Sequence, residues 1–306
     1  EQIQYFKVTQ YFFFKQWIEL KNYANQKGIQ IIGDMPIYVA ADSVEVWTKP
    51  ELFQLDEERN PLVVAGVPAD QFSATGQLWG NPLYAWEEHK KQGYAWWIHR
   101  IEESFKIYDV LRIDHFKGFS DYWQVDGKAE VAKDGSWQPG PGYDLFKAVK
   151  EQLGDLPIIA EDLGNIDDKA RKLLADCNYP GMKILQFGFE DVSGESLDSP
   201  HYCIPHSIVY TGTHDNDVTN GWYNSLTEQQ QQYINDYTHR REDESICQAM
   251  IRQLFATVSN TAIATMQDVL DLPASSRMNV PSTIGGNWQW RMQQSDLTQD
   301  KKDFLA

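Results

Sequence analysis

The chain has three cysteines in 306 residues, Cys177, Cys203 and Cys247, widely spaced and with no C-x-x-C among them. That is too few for a disulfide framework and the wrong spacing for a zinc knuckle, so a reducing, cytoplasmic setting is the expectation. Basic residues are also in short supply. The 27 Lys and Arg stand against 44 Asp and Glu, and a net charge of -17 is the wrong sign for a nucleic acid partner. No run approaches the roughly 18 apolar residues of a membrane span, so no membrane partner is expected. The opening stretch "EQIQYFKVTQ" has neither the basic start nor the apolar core of a signal peptide. No G-x-G-x-x-G and no G-x-x-x-x-G-K-[ST] occurs, which removes the usual phosphate-cradling loops. No D-x-[DN]-x-[DN]-G calcium loop occurs either, and no metal is expected.

What is present is a globular composition, 42% hydrophobic, with 11 Trp and 15 Tyr. Most of these aromatics serve packing, but flat aromatic faces also line clefts for neutral ligands such as sugars. Short apolar or β-branched runs appear at 29–33, 109–113, 157–160, 183–187, 207–211 and 261–266. Helical periodicity falls between most of them, at 11–28, 95–107, 143–154, 168–177 and 245–258. Strands alternating with helices predict βαβ units and a parallel sheet. With no nucleotide-binding loop after the first strand, a (β/α)8 TIM barrel with inserted loops is favoured over a doubly wound sheet.

In such a barrel the active site gathers at the C-terminal ends of the strands. Asp34 follows the first run, Arg112 and Asp114 end the second, Glu161 follows the third, and His214 and Asp215 follow the fifth. Any one of these carboxylates, taken alone, reads more readily as a helix N-cap or a surface ion pair. Their common position at four strand ends is harder to explain that way.

The residue types then indicate a chemistry. A pair of carboxyl groups, one ionised and one protonated, is the apparatus of retaining glycoside chemistry. Arg112 lies two residues before Asp114, on the same face of a strand, and can hold it ionised as a nucleophile. Glu161 follows an apolar run, where burial raises a carboxyl pKa as an acid catalyst requires. Asp215 is a third carboxylate able to stabilise an oxocarbenium-like charge.

The motifs "GDMPIYVAADSVEVW", "GVPADQFSATGQLWGNPLYAW", "LRIDHFKGF", "IIAEDLG", "TGTHDNDVTNGWY" and "PSTIGGNWQWR" occur in order from about residue 29 to 291. As a set they resemble the 4-α-glucanotransferases, amylomaltases or disproportionating enzymes, of glycoside hydrolase family 77 in the α-amylase superfamily. The resemblance implies Asp114 as nucleophile, Glu161 as general acid/base and Asp215 as transition-state stabiliser. It implies sugar-binding or site-orienting roles for Asp34, Tyr38, Arg112, His115, His214 and Asn287, and a covering loop that carries Asp70, Phe72, Gln77 and Trp79. It also implies transfer of α-1,4-glucan segments between maltooligosaccharide donors and acceptors, by a double displacement and with no cofactor.

Six strands are visible where a barrel needs eight, so the first two are expected to be missing. Residues 1–306 then read as a catalytic barrel that is an incomplete part of a longer chain, with 48–93 as a substrate-covering insertion between barrel strands. The helical tail "QSDLTQDKKDFLA" is read as continuing. Two other functions fit the same residues, an α-amylase-like hydrolase and an inactive glucan-binding barrel.

Overall fold

A computed structural model describes residues 2–69, 74–164 and 166–305. The chain divides into two compact units, Glu1–Pro180 and Gly181–Ala306. Among the described residues, the first holds seven strands: β1 (Ile32–Met35), β2 (Val63–Val67), β3 (Gln77–Pro82), β4 (Val110–Ile113), β5 (Asp121–Asp126), β6 (Ser136–Pro139) and β7 (Ile158–Ala160). β1, β4 and β7 form a parallel sheet in that order, with Asp34 opposite Arg112, and Ile113 opposite Ala160. All three residues of β7, Ile158, Ile159 and Ala160, are buried, the continuous apolar pattern of a parallel strand covered on both faces, whereas β4 buries Leu111 and Ile113 on one face and carries Arg112 on the other.

The helices Ala95–Ile107, Tyr143–Leu153 and Asp168–Cys177 fall where periodicity predicts them. The first buries Trp97 and Ile101, four residues apart on one face, against the sheet core. Gly33 lets Tyr108 lie across β1, since a Cβ there would sit 2.1 Å from the tyrosine ring. The predicted helix 11–28 begins earlier, as Gln2–Gln26, and none of its side chains is buried among the described residues. It is anchored by Trp17, whose indole N–H donates to the Ile107 carbonyl at 2.8 Å, and by Lys21, 3.3 Å from Asp109.

The segment 48–93 supplies β2 and β3, but these do not close on themselves. They join β5 and β6 in a four-stranded antiparallel sheet ordered β3-β2-β5-β6. The sheet of this segment therefore draws on 121–139, for which the sequence carries no clear strand signal. The second unit contains β8 (Gly181–Ile184), β9 (Ser207–Tyr210) and β10 (Thr261–Ile263), parallel and ordered β10-β9-β8.

One expected strand is half wrong. The run 183–187 is extended only as far as Ile184, and Leu185–Glu190 is a helix. Leu185 and Phe189, four apart, both fall on the buried face, and the core they enter favours the helical period over local strand propensity. The run 261–266 likewise stops at Ile263, where Thr265 caps the short helix Met266–Val269. Helices Glu228–Thr238 and Ile246–Phe255 each open with a capping box, Thr227 with Gln230 and Ser245 with Gln248.

Candidate active site

The register of β1, β4 and β7 assembles the first cluster. Asp34 sits within β1 rather than after it, directly opposite Arg112 on β4, while Asp114 and Glu161 are the residues that follow β4 and β7. Backbone bonds continue past the strand ends: Asp114 N–H donates to Met35 O at 3.0 Å and Glu161 N–H to Ile113 O at 2.9 Å. Three adjacent strands thus deliver three carboxylates and one guanidinium to one edge.

Arg112 is 7% exposed. One guanidinium nitrogen lies 2.6 and 2.7 Å from the two oxygens of Asp34 and 3.0 Å from Asp114. Burial alone would lower its pKa, but the carboxylates of Asp34 and Asp114 more than offset this and keep it charged. A buried cation shared by two carboxylates fixes the side chain of Asp114.

Glu161 is placed differently. Burial first, and the neighbouring Asp114 charge second, push its carboxyl up to about 7, against the opposing pull of Arg112. Its two oxygens accept from the backbone N–H groups of His115 at 2.7 Å and Leu163 at 2.8 Å, so the carboxyl is oriented as well as poised near neutrality. A carboxyl raised to near neutrality beside a carboxylate bonded to arginine is an arrangement that can supply an acid/base and a nucleophile.

His115 adopts the left-handed conformation, φ 48 and ψ 50, and opens the 3-10 turn Phe116–Phe119. A non-glycine residue is uncommon in that region. Burial pushes the imidazole down to about 4, so it is neutral at pH 7. Its ring meets Trp79 edge to face at 4.8 Å and lies 6.5 Å from Tyr38. Gly118 permits this packing, because a Cβ would meet Ile37 at 2.7 Å and His115 at 3.1 Å. Tyr38 is 6% exposed and Trp79 37%, so the tyrosine is a floor and the tryptophan a face open to solvent. Gln77 accepts from the Trp79 indole N–H at 3.3 Å. Asp70 and Phe72 lie outside the described residues.

The second unit carries His214 and Asp215 on a loop beyond β9. Asp215 Oδ2 is 3.4 Å from His214 Nε2, and the His214 ring lies 5.1 Å from Trp288. Asp268, 2% exposed, pins both ends of this loop. It accepts from the Thr211 hydroxyl at 2.7 Å and from the Thr219 N–H at 2.8 Å. Inside the loop, Asn216 accepts from Thr213, and Gln186 donates to the Asp217 carbonyl at 2.9 Å. Asn279 and Arg277 also reach Asp215: the Asn279 amide donates to its carboxylate and the Arg277 guanidinium to its backbone carbonyl. Asn287 spends its amide within its own loop, accepting from Val280 N–H at 3.0 Å and donating to the Thr283 hydroxyl at 3.1 Å.

Sequence reasoning missed Asp268, Arg277 and Asn279. An aspartate in "MQDVLDL" could have been flagged as charged on an otherwise apolar helix, but "SRMNVPS" has no period that would mark it. Among the described residues, one group close enough to share an ion is His99, Glu102 and Glu103, exposed on the helix Ala95–Ile107, where Lys106 already pairs with Glu103. No helix among the described residues is long and apolar enough to cross a membrane.

The family model described as 4-alpha-glucanotransferase, glycoside hydrolase family 77, matches residues 1–298. The 4-alpha-glucanotransferase of Streptococcus pneumoniae serotype 4 is 54% identical over 299 residues, 97% of this chain and 59% of the relative. That of Clostridium butyricum is 44% identical over 304 residues, 98% of this chain and 62% of the relative. The solved amylomaltase from Streptococcus agalactiae in complex with acarbose is 61% identical, with a TM-score of 0.97 over 99% of this chain and 61% of that one. The fold is the amylomaltase barrel type. The chain spans about three-fifths of the length of these relatives.

Proposed function

Because the chain belongs to the 4-alpha-glucanotransferase family, we propose that the protein moves α-1,4-glucan segments between maltooligosaccharides by a retaining double displacement. The observation that carries this reading is the strand-end cluster in which Asp114 shares Arg112 with Asp34 beside an oriented, near-neutral Glu161.

Asp114 attacks the anomeric carbon and forms a glucosyl-enzyme ester while Glu161 donates its proton to the departing 4-oxygen. The acceptor's 4-hydroxyl then gives its proton to Glu161 and attacks from the opposite face, releasing Asp114 with net retention. Asp215 stabilises the oxocarbenium-like charge in both steps, with His214 beside it. Tyr38, Trp79, Gln77 and His115 form the wall against which the sugar rings lie, and Asp34 acts through Arg112. Asp70 and Phe72 are assigned to the covering loop, and Asn287 to a further sugar contact made by the loop it closes. A cover over the intermediate favours sugar over water as acceptor. No cofactor enters these steps. The three free cysteines suit a reducing compartment, and this reading places the reaction in the cytoplasm.

Incubation of the whole protein with maltotriose tests the proposal. A ladder of longer maltodextrins together with glucose is expected, and Asp114→Asn should stop it. Maltose and glucose without longer products would replace transfer with hydrolysis, and no product would leave a binding protein.

A further inference from the structure

Asp215 sits on a half-exposed loop, yet both of its side-chain oxygens have a neighbour. Oδ1 accepts from Asn279 Nδ2 at 2.6 Å and Oδ2 faces His214 Nε2 at 3.4 Å. A carboxylate only accepts, so the amide must turn its NH2 side toward it. Rotation of the carboxylate would exchange the two oxygens or lose the short bond. Arg277 fixes the backbone on both sides of this contact: it donates to the Asp215 carbonyl at 2.7 Å and to the Asn279 carbonyl at 2.8 Å. One guanidinium therefore sets the separation that the Asn279 side chain spans.

We propose that Asn279 is a positioning residue for the transfer reaction, holding the Asp215 carboxylate in a single rotamer. The inference rests on the role given to Asp215 above. A carboxylate borne on a loop has no strand register to orient it, and a charge that turns freely stabilises a transition state less than one already aimed at it. Asn279 touches no reacting atom. Its effect passes through Asp215, and it should appear in the rate of the chemical step rather than in sugar binding.

The test is steady-state kinetics on maltotriose with the whole protein carrying Asn279→Ala, Asn279→Asp or Asp215→Asn, each with its melting temperature. Asn279→Ala should lower kcat by about ten- to a hundredfold, the worth of one hydrogen bond to a charged group, with KM changed by less than about twofold. Asn279→Asp has nearly the same shape but turns a like charge toward Asp215, so its kcat should fall below that of Asn279→Ala. A purely structural role would rank the near-isosteric variant above the truncation. That ranking, or a kcat for Asn279→Ala within about twofold of the parent, overturns the proposal. Near-normal kcat in Asp215→Asn would instead remove the role of Asp215 on which the proposal rests. A crippled Asp215→Asn beside an unaffected Asn279→Ala would sink the positioning role alone.

Discussion

Glu161 and Asp215 are both carboxylates placed shortly after a buried parallel strand, yet they are held by different means. Glu161 is the first residue beyond β7, and its backbone still bonds to β4. Its carboxyl needs only two main-chain N–H donors to be oriented. Asp215 lies five residues beyond β9, past the reach of the sheet. Its loop is held by side chains: Asp268 across the ends, Asn216 and Gln186 inside, Asn279 on the carboxylate itself. Register holds the first group without help, whereas the second depends on a set of single hydrogen bonds, any of which one substitution removes.

The largest effect is expected at the register-held end. Glu161→Gln should cost on the order of a thousandfold in kcat, because it removes the proton that assists the leaving group. It should also alter the pH dependence of stability. In the folded chain Glu161 keeps its proton up to about 7, whereas an ordinary glutamate releases it near 4.5. Between those values the folded state holds a proton that the unfolded chain has lost. Its stabilising contribution is therefore full below about 4.5 and declines as pH rises toward 7. The Gln variant lacks that decline. Its melting temperature, relative to the parent, should rise between about pH 5 and about pH 8. A difference that stays constant with pH would mean that Glu161 is not held protonated.

At the loop-held end, Asp268 should respond chiefly in stability. Asp268→Ala strands the Thr211 hydroxyl and the Thr219 N–H in a buried site, at a cost of about 2–4 kcal/mol. Asp268→Asn keeps one acceptor and should lose less. Chemical denaturation of the two variants measures this. Equal, small losses would show that the loop is held by its other bonds, and the contrast between the two ends would weaken.

The same contrast explains which parts of the molecule were legible in the sequence. The positions of Asp114 and Glu161 could be read because strands of a parallel sheet end together, and an apolar run followed by a charge marks each end; Asp34 and Arg112 face each other one residue inside theirs. The helices Ala95–Ile107 and Asp168–Cys177 were equally plain, since their periods are local. The antiparallel sheet was not. Its strands are short, two contain glycine, and the partner of β2 lies across residues 121–126 rather than within the insertion. The helix at Leu185 was hidden because the choice between periods is made by the core it enters. Arg277 and Asn279 were invisible for a related reason: a polar residue that acts across more than sixty positions of sequence leaves no local pattern.

Trp79 marks the limit of the register-held cluster, and the smallest effect is expected there. It is 37% exposed, in contact with His115 and Tyr38 but with none of the bonds that orient Asp114 or Glu161. Removing its face should weaken sugar binding by about 1 kcal/mol, near fivefold in KM for maltotriose, while kcat changes by less than about threefold. The buried Tyr38 beneath it should behave otherwise, since its removal opens a cavity under the His115 turn and disturbs both parameters. A fall in kcat for Trp79→Ala as large as that for Tyr38→Ala would mean that the aromatic wall shares in orienting the carboxylates, and that strand register alone does not secure them.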